Sequence, residues 1–252
     1  MDVGLSNFYR DLKGIPQQDY MDISETQKYP LGTRYARYDG RVFRYAQAAS
    51  VALVCGNLIQ SAALGGALTT VQHDLTPAAA AAGTYVVTVT IATTDQAANT
   101  FADGWLAVTD GDAAAAMGDL YLIKSHPASS TTMAITLYEP LIRAITTSSR
   151  ISLLANIYKD VIQAPASPSG LAIGVCPTVV TADYYFWLQT WGIANVLVDS
   201  AIAMGLDVVR GISTAGAVDD VESTTAHEAR IGQSGLVTDD TDTGFVYLQI
   251  AP

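Results

Sequence analysis

Few residues in this chain are suited to catalysis or metal binding. Histidine occurs three times, at His73, His126 and His227, far apart and with no H-E-x-x-H arrangement, which argues against a zinc site. Cysteine occurs twice, at Cys55 and Cys176. In a chain of this length the two read as buried, reduced thiols rather than a disulfide framework. No G-x-S-x-G elbow is present: Gly232-Gln233-Ser234-Gly235 is one residue short and reads as a turn. Phosphate-binding and dinucleotide fingerprints are missing too, and Leu64-Gly65-Gly66-Ala67 reads as a loop. Hydrophobic residues make up 50% of the chain, yet no run approaches the ~20 apolar residues of a membrane-spanning helix. Met1-Asp2-Val3-Gly4 lacks the basic region and apolar core of a secretory leader. The expectation is a protein made in a reducing cytoplasm, with no cofactor and no membrane partner.

Positive charge is also scarce, with 13 Lys+Arg against 24 Asp+Glu and a net charge of −11. The deficit is uneven. Residues 1–50 hold seven basic and six acidic side chains, a net of +1; residues 51–252 hold six and eighteen, a net of −12. An acidic body repels phosphates, so nucleic acid is not an expected partner. The N-terminal segment instead interleaves Tyr9, Tyr20, Tyr29, Tyr35, Tyr38 and Tyr45 with Arg10, Lys13, Lys28, Arg34, Arg37, Arg41 and Arg44. Tyr and Arg are enriched in protein interfaces. The same composition also suits a solvated hairpin with stacked Arg–Tyr pairs, and the two readings stand side by side.

What the chain has in quantity is β pattern. Residues 3–12 fit a short helix with Leu5, Phe8 and Leu12 on one side, and Gly14, Pro16 and Pro30 then punctuate an extended arm. Arms of this kind are often ordered only against a neighbouring subunit. Asp39-Gly40 between residues 33–38 and 41–47 predicts a hairpin with a type I′ turn. A second strand pair is expected over residues 51–54 and 57–62. Residues 84–92 alternate with Tyr85, Val87, Val89 and Ile91 on one face. Residues 101–109, 119–124, 131–138 and 150–158 continue as strands at short spacing, the signature of a sandwich or barrel. Residues 139–145 suit one or two helical turns after Pro140.

Residues 184–190, Tyr-Tyr-Phe-Trp-Leu-Gln-Thr, are too aromatic for a helix surface and predict a half-buried strand. Trp191-Gly192 then predicts a tight reversal, with 193–198 returning and a further strand from Leu206. Val246, Leu248 and Ile250 share a face of a final strand. The low-complexity stretches 78–83 and 164–170 read as boundaries. The predicted fold is all-β: a small antiparallel β-barrel or sandwich with an inserted second β domain and an extended N-terminal arm. The arm is residues 1–30, the barrel-like domain residues 31–76 and 166–252, and the inserted sandwich-like domain residues 77–165.

The remaining chemical candidates are carboxylates and exposed rings. Asp110/Asp112 and Asp239/Asp240/Asp242 sit in Gly/Thr-rich turns, where exposed acidic loops are the plain reading. A calcium site drawing on Asp119 lacks the spacing of an EF-hand loop. A depolymerase would need two such groups roughly 5 to 9 Å apart across a cleft. Trp105, Tyr184, Trp187 and Trp191 offer rings for sugar stacking in an adhesin, or for a barrel core or subunit interface.

The order of several short motifs resembles tailed-bacteriophage virion proteins, in particular head decoration (cement) proteins. They are Tyr38-Asp39-Gly40-Arg41-Val42-Phe43-Arg44-Tyr45-Ala46 followed by Gly56-Asn57-Leu58, then Ala102-Asp103-Gly104-Trp105-Leu106. Tyr121-Leu122-Ile123-Lys124-Ser125-His126-Pro127 and Leu137-Tyr138-Glu139-Pro140-Leu141 follow. Gly174-Val175 before Ala182-Asp183, Gln189-Thr190-Trp191-Gly192, and Ile231-Gly232 before Gly244-Phe245-Val246 complete the series. The resemblance implies a non-enzymatic protein on the exterior of the virion capsid. Its partners would be the major capsid protein and further copies of itself, a trimer being favoured. Residues 1–47 would then grip the capsid or a neighbour through Tyr9, Arg10, Tyr20, Tyr29, Arg34, Tyr35, Arg37, Tyr38, Arg41 and Arg44. A phage tail or fibre component, or a carbohydrate-binding adhesin, is the alternative.

Overall fold

In a computed structural model of the chain, residues 18–63, 71–91, 95–110, 116–221, 229–235 and 242–252 are described, and every regular element among them is a strand. Three early strands, β1 (Arg34–Ala36), β2 (Val42–Gln47) and β3 (Leu58–Gln60), share a ten-stranded sheet with seven late ones. The late strands are β10 (Ile162–Gln163), β11 (Ala172–Val175), β12 (Tyr185–Leu197), β13 (Asp207–Arg210), β14 (Val218–Asp220), β15 (Gly232–Ser234) and β16 (Thr243–Gln249). Between them lie β4 (Val71–Pro77), β5 (Val86–Thr90), β6 (Trp105–Asp110), β7 (Leu120–Ser125), β8 (Thr132–Leu137) and β9 (Arg150–Leu154). These six close a barrel in the order β4-β5-β8-β7-β6-β9. The molecule is all-β, a closed barrel beside a curled sheet, as the alternation predicted.

Because β2 pairs with β12 and β3 with β11, the chain leaves the sheet after β3, builds the barrel, and re-enters at β10. Ring closure belongs to the inserted part and the open sheet to the outer part, the reverse of the expected assignment. The boundaries also move. β4 pairs with β5 and β9, so residues 71–76 belong to the insert. β10 pairs with β3, so the outer sheet resumes at Ile162.

The barrel core follows from the pleat. Val87, Val89 and Ile91 point inward, with Leu106, Val108, Ile123, Met133, Ile135, Ile151 and Leu153 from the other strands, while Val86 and Trp105 point out. Residues 78–83 connect β4 to β5 and are not a domain entrance. Residues 139–145 form no helical turn. Leu141 N–H donates to Thr84 O (2.9 Å) and Ile145 N–H to Ala80 O (2.8 Å), so these amides are spent across the barrel end rather than up a helix. Residues 51–54 contribute only Leu53, bridged to Val180, rather than a strand.

Two turns differ instructively from expectation. Gly192 has φ 85°, but the chain does not reverse there: β12 runs on for 13 residues. Its first half pairs with β2 and its second with β16, with a register shift at Gln189/Trp191. A Cβ on Gly192 would lie 3.1 Å from Arg41 Cα and Gly40 O, so glycine lets the β1–β2 turn press onto the bulge. In that turn Gly40 alone has positive φ (83°), and Arg37 N–H closes onto Arg41 O at 2.9 Å. It is a three-residue loop with a glycine bulge rather than type I′.

Candidate assembly surfaces

The outer sheet buries both faces of β12 over its first half, from Phe186 to Thr190. Phe186 and Leu188 enter a core with Ala46, Ile59, Ile173 and Val180, while Trp187 turns to the opposite face with Phe43 and Tyr45. A strand buried on both sides needs a cover, and residues 18–35 supply it. Tyr20, Tyr29, Leu31 and Tyr35 pack on Phe43, Tyr45 and Trp187, with ring centroids 5.0 to 5.4 Å apart for Tyr45–Trp187, Tyr35–Trp187 and Tyr29–Trp187. Gln18, nearly fully buried, pins the start of the cover. Its carbonyl accepts from Trp187 Nε1 (3.0 Å), its Oε1 from the Tyr45 hydroxyl (2.8 Å), and its Nε2 donates to Tyr185 O (3.1 Å). Burial pushes the Tyr45 phenol above its ordinary pKa, which keeps it a donor. Residues 18–30 therefore lie on their own sheet rather than forming a free arm.

The interleaved Arg and Tyr residues are largely spent in the same cover. Arg37 and Arg41 place their guanidiniums 4.1 and 4.9 Å from the Tyr20 ring centroid. Asp39 accepts from Arg37 Nε (3.3 Å) and from Arg41 Nε and Nη2 (2.9 and 2.7 Å). Burial alone would raise the Asp39 pKa, but the hydrogen bonds from Arg41 and Arg37 outweigh it and hold the carboxyl below its ordinary range. Tyr29 and Tyr35 are half-buried in the aromatic cluster. Arg44 reaches Gly32 O and Pro252 O (3.3 and 3.1 Å), tying the C-terminus to the cover. Arg34, opposite Arg44, and Tyr38, at the turn, are exposed. Tyr9 and Arg10 lie outside the described residues.

The other candidates separate. His126 is a buried clamp: Nδ1 donates to Pro127 O (2.9 Å) and Nε2 accepts from Phe101 N–H (3.0 Å), and burial lowers its pKa. His73 is exposed and bonds Ser152 Oγ at 2.8 Å, while His227 lies outside the described residues. Asp119 is taken up by Arg143 and by the Tyr121 hydroxyl (3.0 Å), so it is occupied within the barrel. Asp242 accepts from Thr243 N–H (2.8 Å), and Asp112, Asp239 and Asp240 are outside the described residues. No group of three or more His, Cys, Asp or Glu that could hold a metal occurs among the described residues. Cys176 is buried, its thiol pushed up to about 12 by desolvation, whereas Cys55 is exposed, against expectation; both are free. Of the rings proposed for sugar stacking, Trp187 is core, Tyr184 and Trp191 are half-buried, and Trp105 is exposed.

Two apolar openings are found at the surface among the described residues. One, of about 420 Å³, lies between Tyr20 and Met21 of the cover, Cys55 and Pro177, and Ile193 and Phe245 of β12 and β16, with Arg41 and Asp39 at its edge. The other, of about 380 Å³, is a hollow on the barrel wall lined by Trp105, Ala107, Leu120, Ser152 and Leu154. A search against family models found no match, nor did searches of curated proteins or of solved structures.

Sequence reasoning missed two structural pins. Gln18 carries no signal of its own. Arg210 ends the apolar run Val208-Val209, is 6% exposed, and bonds Gln60 Oε1 (2.7 Å), Pro165 O (3.2 Å) and Gly170 O (3.3 Å). A cation closing an apolar strand was the one available hint.

Proposed function

We propose that this chain is a non-enzymatic virion structural protein that binds the outer surface of a tailed-phage capsid and stabilises it. The observation that carries the reading is the pairing of two stiff β bodies with two separate apolar openings, one on the outer sheet and one on the barrel wall. A body that stays rigid loses little entropy on docking. Many copies multiply modest contacts into tight attachment. The order of strand and turn motifs that resembles decoration proteins supports the same reading. An adhesin is less well served. The exposed Trp105 is flanked by Ala107, Leu120 and Leu154, and the hydroxyl in the same hollow, on Ser152, is bonded to His73 at 2.8 Å.

The test mixes the purified chain with undecorated heads and follows cosedimentation and electron microscopy. The expected result is saturable binding at a regular lattice of sites and a higher rupture temperature of the heads. Failure to cosediment would overturn the proposal. Removing residues 1–30 would strip Gln18, Tyr20 and Tyr29 from Trp187, so the informative truncation is residues 1–17.

A further inference from the structure

A histidine and a serine far apart in sequence meet on the barrel wall. β4 and β9 are in register at Gln72 and Leu153 and again at Leu75 and Ile151. Between these pairs His73 and Asp74 of β4 oppose Ser152 alone, which makes a bulge. Asp74 takes φ 57°, in the left-handed region, and its carboxylate pairs with Arg150 at 3.3 Å. His73 is left facing β9, with Nδ1 2.8 Å from Ser152 Oγ. Bulges commonly re-aim a side chain in this way beside reactive sites.

Two further observations separate this pair from an ordinary surface hydrogen bond. Thr109 Oγ1 lies 3.3 Å from the same Ser152 Oγ and 3.3 Å from Arg150 O, so the serine oxygen is held from two sides. Ser152 also stands in the wall of the hollow of about 380 Å³, whose other lining residues, Trp105, Ala107, Leu120, Leu153 and Leu154, are apolar. A hydroxyl with a proton acceptor on one side and an apolar pocket on the other is suited to accept an acyl group. The acceptor takes the proton and the pocket seats the chain.

We propose that Ser152 is an acyl-acceptor site, taking a short apolar acyl group from an activated ester or thioester. With the ring proton on Nε2, His73 Nδ1 takes the Ser152 hydroxyl proton as Oγ attacks the acyl carbonyl carbon. The bond from that carbon to the leaving oxygen or sulfur breaks, and the alcohol or thiol departs with the proton from His73. The product is an ester on Ser152 with its chain in the hollow, and the step needs no oxidant or reductant. The Ser152 backbone lies within the β6–β9 ladder, opposite Ala107. The donor must therefore bring a good leaving group in place of an oxyanion hole, and amides should not react. The capsid reading neither requires this site nor depends on it.

The full chain mixed with p-nitrophenyl butyrate tests it. The expected result is a burst approaching one nitrophenolate per chain, with one butyryl group mapped by mass spectrometry to Ser152. His73→Gln keeps a hydrogen-bond acceptor but cannot take up the proton, and should slow the burst at least about a hundredfold. Ser152→Ala should remove it, with circular dichroism confirming that both variants fold. The burst rate should rise about fourfold per methylene from acetate to butyrate as the chain fills the hollow. Trp105→Ala should flatten that rise while acetate still reacts. Mapping on the unaltered chain decides the matter even if a variant fails to fold: butyryl groups on lysines alone would overturn the proposal. So would a folded Ser152→Ala or His73→Gln chain that keeps the burst.

Discussion

The barrel and the outer sheet solve the same problem in two ways. In the barrel each strand has a neighbour on both sides, so backbone pairing closes the structure and an apolar interior fills it. The outer sheet has free edges at β1, β10 and β14, and side chains make up the difference. Of the thirteen buried polar or charged side chains among the described residues, nine lie there: Gln18, Asn57, Gln60, Ser61, Gln189, Thr190, Asp199, Arg210 and Ser234. Four lie in the barrel: Gln72, Gln96, His126 and Ser149. Across the curl, Gln163 Nε2 donates to Ala215 O and Arg210 Nη1 to Gln60 Oε1, both at 2.7 Å, so side chains draw the two ends of the sheet together. Closure by backbone needs little from the sequence. Closure by side chains depends on particular residues, and should be the easier of the two to break.

Trp187→Ala would test this most severely. It empties the centre of the covered face and orphans Gln18 O, at an expected cost of about 4 kcal/mol. Native-state hydrogen exchange should show the loss in β2 and β12, with the amides of Val87, Ile123 and Met133 unchanged; equal loss in the barrel would erase the distinction. Arg210→Met should cost about 2 kcal/mol by leaving Gln60 and two carbonyls without their donor. In the barrel, Arg150→Met removes a surface pair with Asp74 (3.3 Å) and a bond to Ser149 O (3.0 Å), and should cost at most about 1 kcal/mol in urea unfolding.

Acid should reverse the order. His126 is held neutral, with its pKa below the ordinary ~6.5, so its contribution is complete above that pH and is lost as the pH falls below it. Asp199, in the outer sheet, has the opposite chemistry. Burial alone would raise its pKa, but hydrogen bonds from Thr214 and Ser213 hold it low, so its contribution persists until roughly pH 4 and is lost below. Asp160, after β9, has a pKa raised by burial and gains as the pH falls. Thermal melts from pH 7.5 to 5 should therefore lower the barrel transition first, by at most about 1.4 kcal/mol per pH unit. His126→Gln should flatten that slope. Tyr20→Leu keeps apolar bulk but removes the ring beneath two guanidiniums. A loss of about 1 kcal/mol should appear as faster proteolysis within residues 18–35.

The strands were readable wherever one face meets water and the other meets core. Residues 86–91, with Val87, Val89 and Ile91 inward, are the clearest case, although Tyr85, expected on the same face, is exposed. Gly192 was misread because a positive φ serves a bulge as well as a reversal, and only the approach of Arg41 distinguishes them. Residues 139–145 offered proline and apolar residues at helical spacing, yet their amides are claimed by Thr84 and Ala80, partners some 60 residues away in sequence. The Tyr/Arg segment left two readings open, an interface or stacked pairs. For Tyr20, Arg37 and Arg41 the stacked pairs are what the fold displays. The hollow on the barrel wall was invisible in sequence, because Trp105 meets Leu122 and Leu154 only once β6, β7 and β9 are in register.

The neck of the molecule sets a limit on what the barrel can become. Gln60, where the chain departs, sits directly across the ladder from Ile162, where it comes back. Departure and return are thus one strand spacing apart, and the host sheet is indifferent to what is spliced between them so long as its two ends meet. A foreign module with closely spaced termini could replace residues 71–154 and be carried by the same curled base, turning an architectural accident into a mounting point for cargo.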